Sequence, residues 1–141
     1  MWYNKQVKLT IEGMWDNLSI MISLIIIGVI FPLLMILFGL FLSKTPPTDI
    51  NYVVGYRTKR SMASKEAWLF ANVTAGKYWV KTGLCSLPIF IIIGVIISII
   101  YNSFNIDESN LSYIFFGFMF IQVITLLSVI PYTERKLKRK F

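Results

Sequence analysis

The chain has 141 residues, 56% of them hydrophobic, and its mean hydropathy of +0.67 is well above that of an ordinary soluble domain. Fourteen Lys and Arg against seven Asp and Glu give a net charge of +7. The absence of His and the presence of one cysteine, Cys85, exclude an intrachain disulfide and a Cys/His zinc site. The apolar residues gather in three runs without Asp, Glu, Lys or Arg, each near the roughly 20 residues that cross a bilayer. These runs leave too little polar sequence to cover them in a soluble core. The expected fold class is therefore all-α integral membrane, with three transmembrane helices plus one cytoplasmic interfacial helix.

In chain order, residues 1–17 read as an extracellular N-terminal segment, where Lys5 and Lys8 are offset by Glu12 and Asp16. The first span covers residues 18–42. It is too long for a signal-peptide core and ends in Phe41, Leu42, Ser43 and Lys44 rather than at a small-residue cleavage site, so it reads as retained. Residues 43–81 form a cytoplasmic loop holding Lys44, Arg57, Lys59, Arg60, Lys65, Lys77 and Lys81. Pro46, Pro47 and Asp49 mark a turn or extended entry, and Ser61 or Ser64 suits the N-cap of a helix over about 65–78, with Glu66 at its positive end. On a helical wheel Ala67, Trp68, Ala71, Ala75, Tyr78 and Trp79 share one side, a composition that suits the headgroup boundary or a docked partner.

The second span covers 82–101, with Cys85 near its start. An outer loop over 102–110 has no basic residue and carries Asp107 and Glu108, and the third span covers 111–130. The basic cytoplasmic tail, 131–141, holds Arg135, Lys136, Lys138, Arg139 and Lys140. Loops rich in Lys and Arg stay inside, so the N-terminus is expected outside and the C-terminus inside. That arrangement explains the net charge through the membrane surface, where anionic lipids attract basic segments, and no nucleic acid is expected.

Pro32 and Pro88 each remove a backbone hydrogen bond from a span. Gly28, Gly39, Gly83, Ser86, Gly94, Ser98 and Gly117 would let helices approach closely. Gln122, with Thr125 and Ser128 further along the third span, is the strongest polar group at depth. An unpaired amide in hydrocarbon costs several kcal/mol, so Gln122 is expected to make an interhelical hydrogen bond. With no ionisable residue at depth, a pump is not indicated.

The loop carries Asn51, Gly55-Tyr56-Arg57-Thr58, Ser61, Trp68, Asn72 and Gly76-Lys77, followed by Gly83 and, after the last span, Pro131-Tyr132-Thr133. In this combination and spacing, from about Pro47 onward, the chain resembles the SdpI/YfhL family of bacterial membrane proteins. The resemblance implies a multi-pass protein of the bacterial cell membrane and a role in immunity. The family's best-known members protect a toxin-producing cell from a secreted antimicrobial peptide, and one also holds a repressor at the membrane. The chain lacks the additional N-terminal spans of the larger members, and Asn72 stands where they commonly show His. From the residues themselves, Gly55 permits a turn, and Arg57 can fork onto a phosphate or carboxylate or hold the loop to a carbonyl. Thr58 or Ser61 can add a hydroxyl bond, and Asn72 can tie the loop to a span.

Three functions compete. The first is immunity or resistance, with a peptide toxin as partner and Trp2, Tyr3, Trp15 and the acidic outer loop as its first contacts. The second is a structural or regulatory subunit that recruits a cytoplasmic regulator through the Arg57 loop. The third is a small channel or transporter protomer, requiring a homo-oligomer with a wet path around Gln122. No catalytic residue, cofactor or metal is expected: no paired carboxylates sit at depth, no nucleophile has a His beside it, and Gly76-Lys77 lacks the rest of a phosphate-binding loop.

Overall fold

A computed structural model describes residues 2–104 and 108–141, with the side chains of 2–13, 16, 17, 102, 108 and 109 outside the description. Its helices are α1 (Trp2–Lys44), α2 (Lys65–Phe104), α3 (Glu108–Leu127) and α4 (Val129–Lys140), and the described residues include no strand. Segments long and apolar enough to cross a membrane lie at Leu18–Lys44, Lys65–Tyr101 and Asn110–Lys140, so the all-helical, three-span class agrees with the sequence. Their apolar surface faces largely outward, as at Ile26, Leu33 and Leu37 on α1, Ile92 and Ile96 on α2, and Phe120 and Ile124 on α3. Lipid is as apolar as these side chains, so the helices need other reasons to associate.

For α1 and α2 the reason is close backbone approach. A Cβ placed on Gly39 would lie 2.7 Å from the Gly76 carbonyl oxygen, and one on Gly76 would lie 2.6 Å from the Ser43 nitrogen. Further along, Gly83 meets the Pro32 carbonyl and Gly94 meets Leu24, which fixes an antiparallel register. α3 joins this pair through Phe118, whose ring packs edge-on to Phe90 at 5.7 Å and touches the position of Gly28. Leu24, Phe90 and Phe118 form the buried centre. Gly117, one residue from that contact, has nothing within 4 Å of its Cβ position and brings no helix closer.

The element boundaries differ from those read in the sequence in three places. Residues 2–17 continue the helix of the first span. The helix expected over 65–78 and the span over 82–101 are one helix, because no Gly-Pro break or turn cluster separates them. At about 1.5 Å per residue its 40 residues reach roughly 60 Å, twice the hydrocarbon thickness. The tail is helical as well, with α4 starting immediately after a single turn residue, Ser128.

Because Gly76 already lies against Ser43, the first turns of α2 project beyond the end of α1. Their exposed flank would carry buried-type residues without cover. Residues 45–64 and α4 supply it: Tyr56, Ala67, Ala71, Ala75, Val129 and Leu137 form a second core, with Phe70, Tyr78 and Trp79 packed around it. The shared wheel face of Ala67, Trp68, Ala71 and Ala75 thus packs against protein, while Leu69 faces out.

Candidate functional site at the basic end of the bundle

The loop preceding α2 is organised by short polar side chains. Asn51 Oδ1 accepts the backbone N–H groups of Val53 (3.0 Å) and Val54 (2.8 Å), and its Nδ2 donates to the Asp49 carbonyl. Arg57 donates to the Tyr52 carbonyl across the same turn. This holds a tip in which Tyr52 and Val53 are each 82% exposed. Asp49 pairs with Lys65 at 2.9 Å, and the hydrogen bond and charge of Lys65 hold the Asp49 carboxyl below its ordinary range. Both side chains are well exposed, so the pair orients the loop more than it stabilises it.

Gly55 follows with φ +127°, a conformation that L side chains rarely adopt, and a Cβ there would sit 2.7 Å from Asn72 Oδ1 and 2.8 Å from the Trp68 ring. Its position lets Tyr56 N–H reach Asn72 Oδ1 at 2.7 Å, while Asn72 Nδ2 donates back to the Trp68 carbonyl at 2.9 Å. Asn72 is fully buried, and both its polar atoms are used. Trp68, also fully buried, donates its indole N–H to the Pro47 carbonyl at 2.8 Å. Two side chains one helical turn apart on α2 therefore hold the beginning and the middle of the loop.

The end of the loop is fastened to α4. Ser61 Oγ accepts Thr58 N–H at 2.8 Å and lies 2.8 Å from the Tyr56 carbonyl, to which it can donate. Ser64, rather than Ser61, caps α2: its Oγ accepts Ala67 N–H at 3.1 Å. Thr58 donates its hydroxyl to Glu134 Oε1 at 2.7 Å, and Tyr56 OH lies 3.3 Å from the same oxygen and 3.2 Å from the Ile130 carbonyl. Arg60 adds a longer ion pair to Glu134 at 3.9 Å. Burial, then the charge and hydrogen-bonding capacity of Glu134, raise the Tyr56 phenol well above its ordinary pKa. Glu134 was not singled out in the sequence, although it is the one acid in a basic tail.

Further along α2, Tyr78 OH donates to Ser128 Oγ at 2.9 Å, Ser128 donates to the Thr125 carbonyl at 2.5 Å, and Trp79 Nε1 donates to the Leu126 carbonyl at 3.1 Å. Thr125 is satisfied by the Ile121 carbonyl. Gln122 differs. It is fully buried, yet neither amide atom has a hydrogen-bond partner among the described residues, and Thr133 Oγ1 is in the same condition. The interhelical hydrogen bond expected of Gln122 does not form among the described residues, since neither its amide nitrogen nor its amide oxygen reaches a partner.

The loop and α2 residues expected from the sequence, Asn51, Gly55, Tyr56, Arg57, Thr58, Ser61, Trp68, Asn72 and Gly76, thus come together at one end of the bundle. Most are consumed by internal bonds. Gln122 and Thr125 lie apart from them on α3, and Ser128 on the turn that follows it. Trp15 is exposed, while the side chains of Trp2, Tyr3 and Glu108, and Asp107 entirely, lie outside the described residues. The described residues contain no group of three His, Cys, Asp or Glu that could hold a metal.

Residues 48–133 match the model of the SdpI/YfhL protein family. The chain is 36% identical over 61 residues to a protein described as uncharacterized protein YfhL, from Bacillus subtilis (strain 168), an alignment covering 43% of this chain and 56% of that relative. It therefore spans little more than half the length of that relative. No solved structure matches the chain.

Proposed function

Because the chain belongs to the SdpI/YfhL family, we propose that it is an immunity protein of the bacterial cell membrane that protects its host from a secreted antimicrobial peptide. The observation that carries this reading is the family match over residues 48–133, which takes in the loop, α2, α3 and the first turn of α4. The basic end faces the cytoplasm in this reading, since twelve of the fourteen Lys and Arg lie in residues 43–81 and 131–141. Protection is by binding rather than by catalysis. The polar groups of the basic end act as a structural network in this reading: Glu134 is engaged by Thr58, Tyr56 and Arg60, and these bonds tie the loop to α4.

The test is survival of a peptide-sensitive bacterium expressing the chain, challenged with candidate secreted peptides, with Arg57→Ala and Gln122→Ala compared at equal membrane abundance. Protection by the native chain against one peptide, together with a purified complex, supports the proposal. No protection against any peptide, with the protein correctly inserted, overturns it.

A second reading, recruitment of a cytoplasmic regulator, is favoured by one feature: the exposed Tyr52-Val53 tip, braced by Asn51 and Arg57. Tyr52→Ser/Val53→Ser should abolish recruitment in that reading and leave peptide protection intact in the first.

A further inference from the structure

We propose that the cleft between α4 and Tyr78 of α2 is a binding site for the phosphate of an anionic phospholipid headgroup. The cleft, about 450 Å³, is lined by Tyr78, Ser128, Tyr132, Arg135, Lys136 and Arg139. α4 presents two faces. Val129, Thr133 and Leu137, four residues apart, bury against α2, and Tyr132, Arg135, Lys136 and Arg139 follow a neighbouring stripe at i, i+3, i+4 and i+7. Three cations therefore converge on one concavity.

Among the described residues no carboxylate forms an ion pair with them. The acid nearest in sequence, Glu134, is turned to the other side of α4 and engaged by Thr58, Tyr56 and Arg60, and among the described residues the ion pairs use Arg60 and Lys65 only. The floor is rigid and aromatic: the Tyr78 and Tyr132 rings stack at 4.4 Å, Lys136 Nζ lies 5.8 Å from the Tyr132 ring centre, and Tyr78 OH is fixed by Ser128. Concentrated positive charge over an ordered polar floor is what a phosphate diester requires, and the guanidinium forks of two arginines suit its paired oxygens.

The level of the cleft favours a lipid as the source of that phosphate. It begins where the apolar part of α3 ends, with Ile124, Leu127 and Ile130 exposed just before it and Tyr78, Trp79 and Tyr132 grouped at the transition. Aromatic residues collect at the membrane–water boundary. A lipid whose acyl chains lie along the exposed α3 face would bring its phosphate to Arg135 and Arg139. The site does not depend on what peptide, if any, the protein resists.

The test uses the full chain in nanodiscs of phosphatidylcholine containing increasing phosphatidylglycerol, with bound lipid counted by native mass spectrometry after release. The native chain should retain phosphatidylglycerol in preference to phosphatidylcholine. Arg135→Gln/Arg139→Gln should weaken retention by about tenfold or more, given the contribution of each basic residue near anionic lipid. Lys138→Gln/Lys140→Gln, which removes the same charge outside the cleft, should change it by less than about twofold if the site is local. Arg135→Lys/Arg139→Lys, which keeps the charge, guards against loss of folding in the Gln pair and should retain most of the binding. Equal loss in the Gln pairs would overturn the proposal in favour of diffuse attraction. Equal retention of phosphatidylcholine would overturn the charge argument, and displacement by inorganic phosphate at matched concentration would assign the site to free phosphate instead.

Discussion

Replacing Gly76 by Ala tests the claim that backbone contact, rather than side-chain packing, joins α1 to α2. In an isolated helix the change would be favourable by up to about 1 kcal/mol, because Ala loses less conformational freedom than Gly. Here the new methyl would stand 2.6 Å from the Ser43 nitrogen, 2.7 Å from the Gly39 oxygen and 2.9 Å from the Leu42 carbonyl carbon, where ordinary contact begins at 3.4 Å. All three atoms are backbone, so no rotamer change relieves the overlap and the helices must part. Overpacking of this kind costs about 1–3 kcal/mol and sometimes more, and separation also weakens dispersion contacts on both sides of the crossing. Gly117→Ala is the matched control, since nothing lies within 4 Å of its Cβ position. Unfolding of the purified protein in mixed detergent and SDS, followed by tryptophan fluorescence, should show Gly76→Ala less stable than the native chain by about 1–3 kcal/mol. Gly117→Ala should be unchanged or up to about 1 kcal/mol more stable. Two alanine variants of equal stability would refute the close-approach account of this helix pair.

Asn72→Ala leaves the buried Tyr56 N–H without an acceptor and should cost about 2–4 kcal/mol in the same unfolding assay, combining the lost bonds with a cavity. Gln122→Leu should stabilise by about 1–3 kcal/mol, since it replaces an amide with no partner by an apolar side chain of similar size; destabilisation would show that the amide is satisfied by a bound molecule. The raised Tyr56 pKa means that the folded state holds this proton more tightly than the unfolded chain. Its contribution is complete below the unfolded value of about 10 and is lost as pH climbs from there through the higher folded value. Difference titration of phenolate absorbance between the native chain and Tyr56→Phe should show one phenol ionising late, and Glu134→Gln should move it back toward the ordinary range.

The three spans and the residues of the loop were legible because each leaves a local mark. An uncharged apolar run of bilayer length has few other uses, and the Asn51 to Gly76 pattern has a distinctive spacing. What was not legible depends on partners far away in sequence. The wheel correctly grouped Ala67, Trp68, Ala71 and Ala75, but it could not say that the cover is residues 45–64 and α4, and α2 therefore runs unbroken into its span. The set of small residues contained both Gly39, which touches a neighbouring backbone, and Gly117, which faces open space, and composition does not distinguish them. Glu134 looked like an incidental acid among lysines and arginines, because its role comes from Thr58 and Tyr56, more than seventy positions earlier. The amide of Gln122 was expected to find a partner on chemical grounds, but whether a donor or acceptor on a neighbouring helix comes within reach depends on the packing of the spans, and none among the described residues does.

The same geometry separates what the loop motif does from what recognition would require. Trp68 and Asn72 hold the loop to α2, and Thr58 and Tyr56 hold it to Glu134 of α4, so the motif couples the end of α1 to the end of α3 through one polar network. Weakening any of these bonds should release α4 and, with it, the arginine cleft that α4 forms against Tyr78. A motif variant that loses peptide protection therefore carries information about recognition only if the amount of folded protein is unchanged. Substitutions on the exposed tip at Tyr52 and Val53, or at Arg135 and Arg139, leave that network intact. A loss of protection in one of those, with unfolding behaviour like that of the native chain, would locate the working surface directly, whereas a loss confined to Asn72 or Glu134 variants would reflect the scaffold.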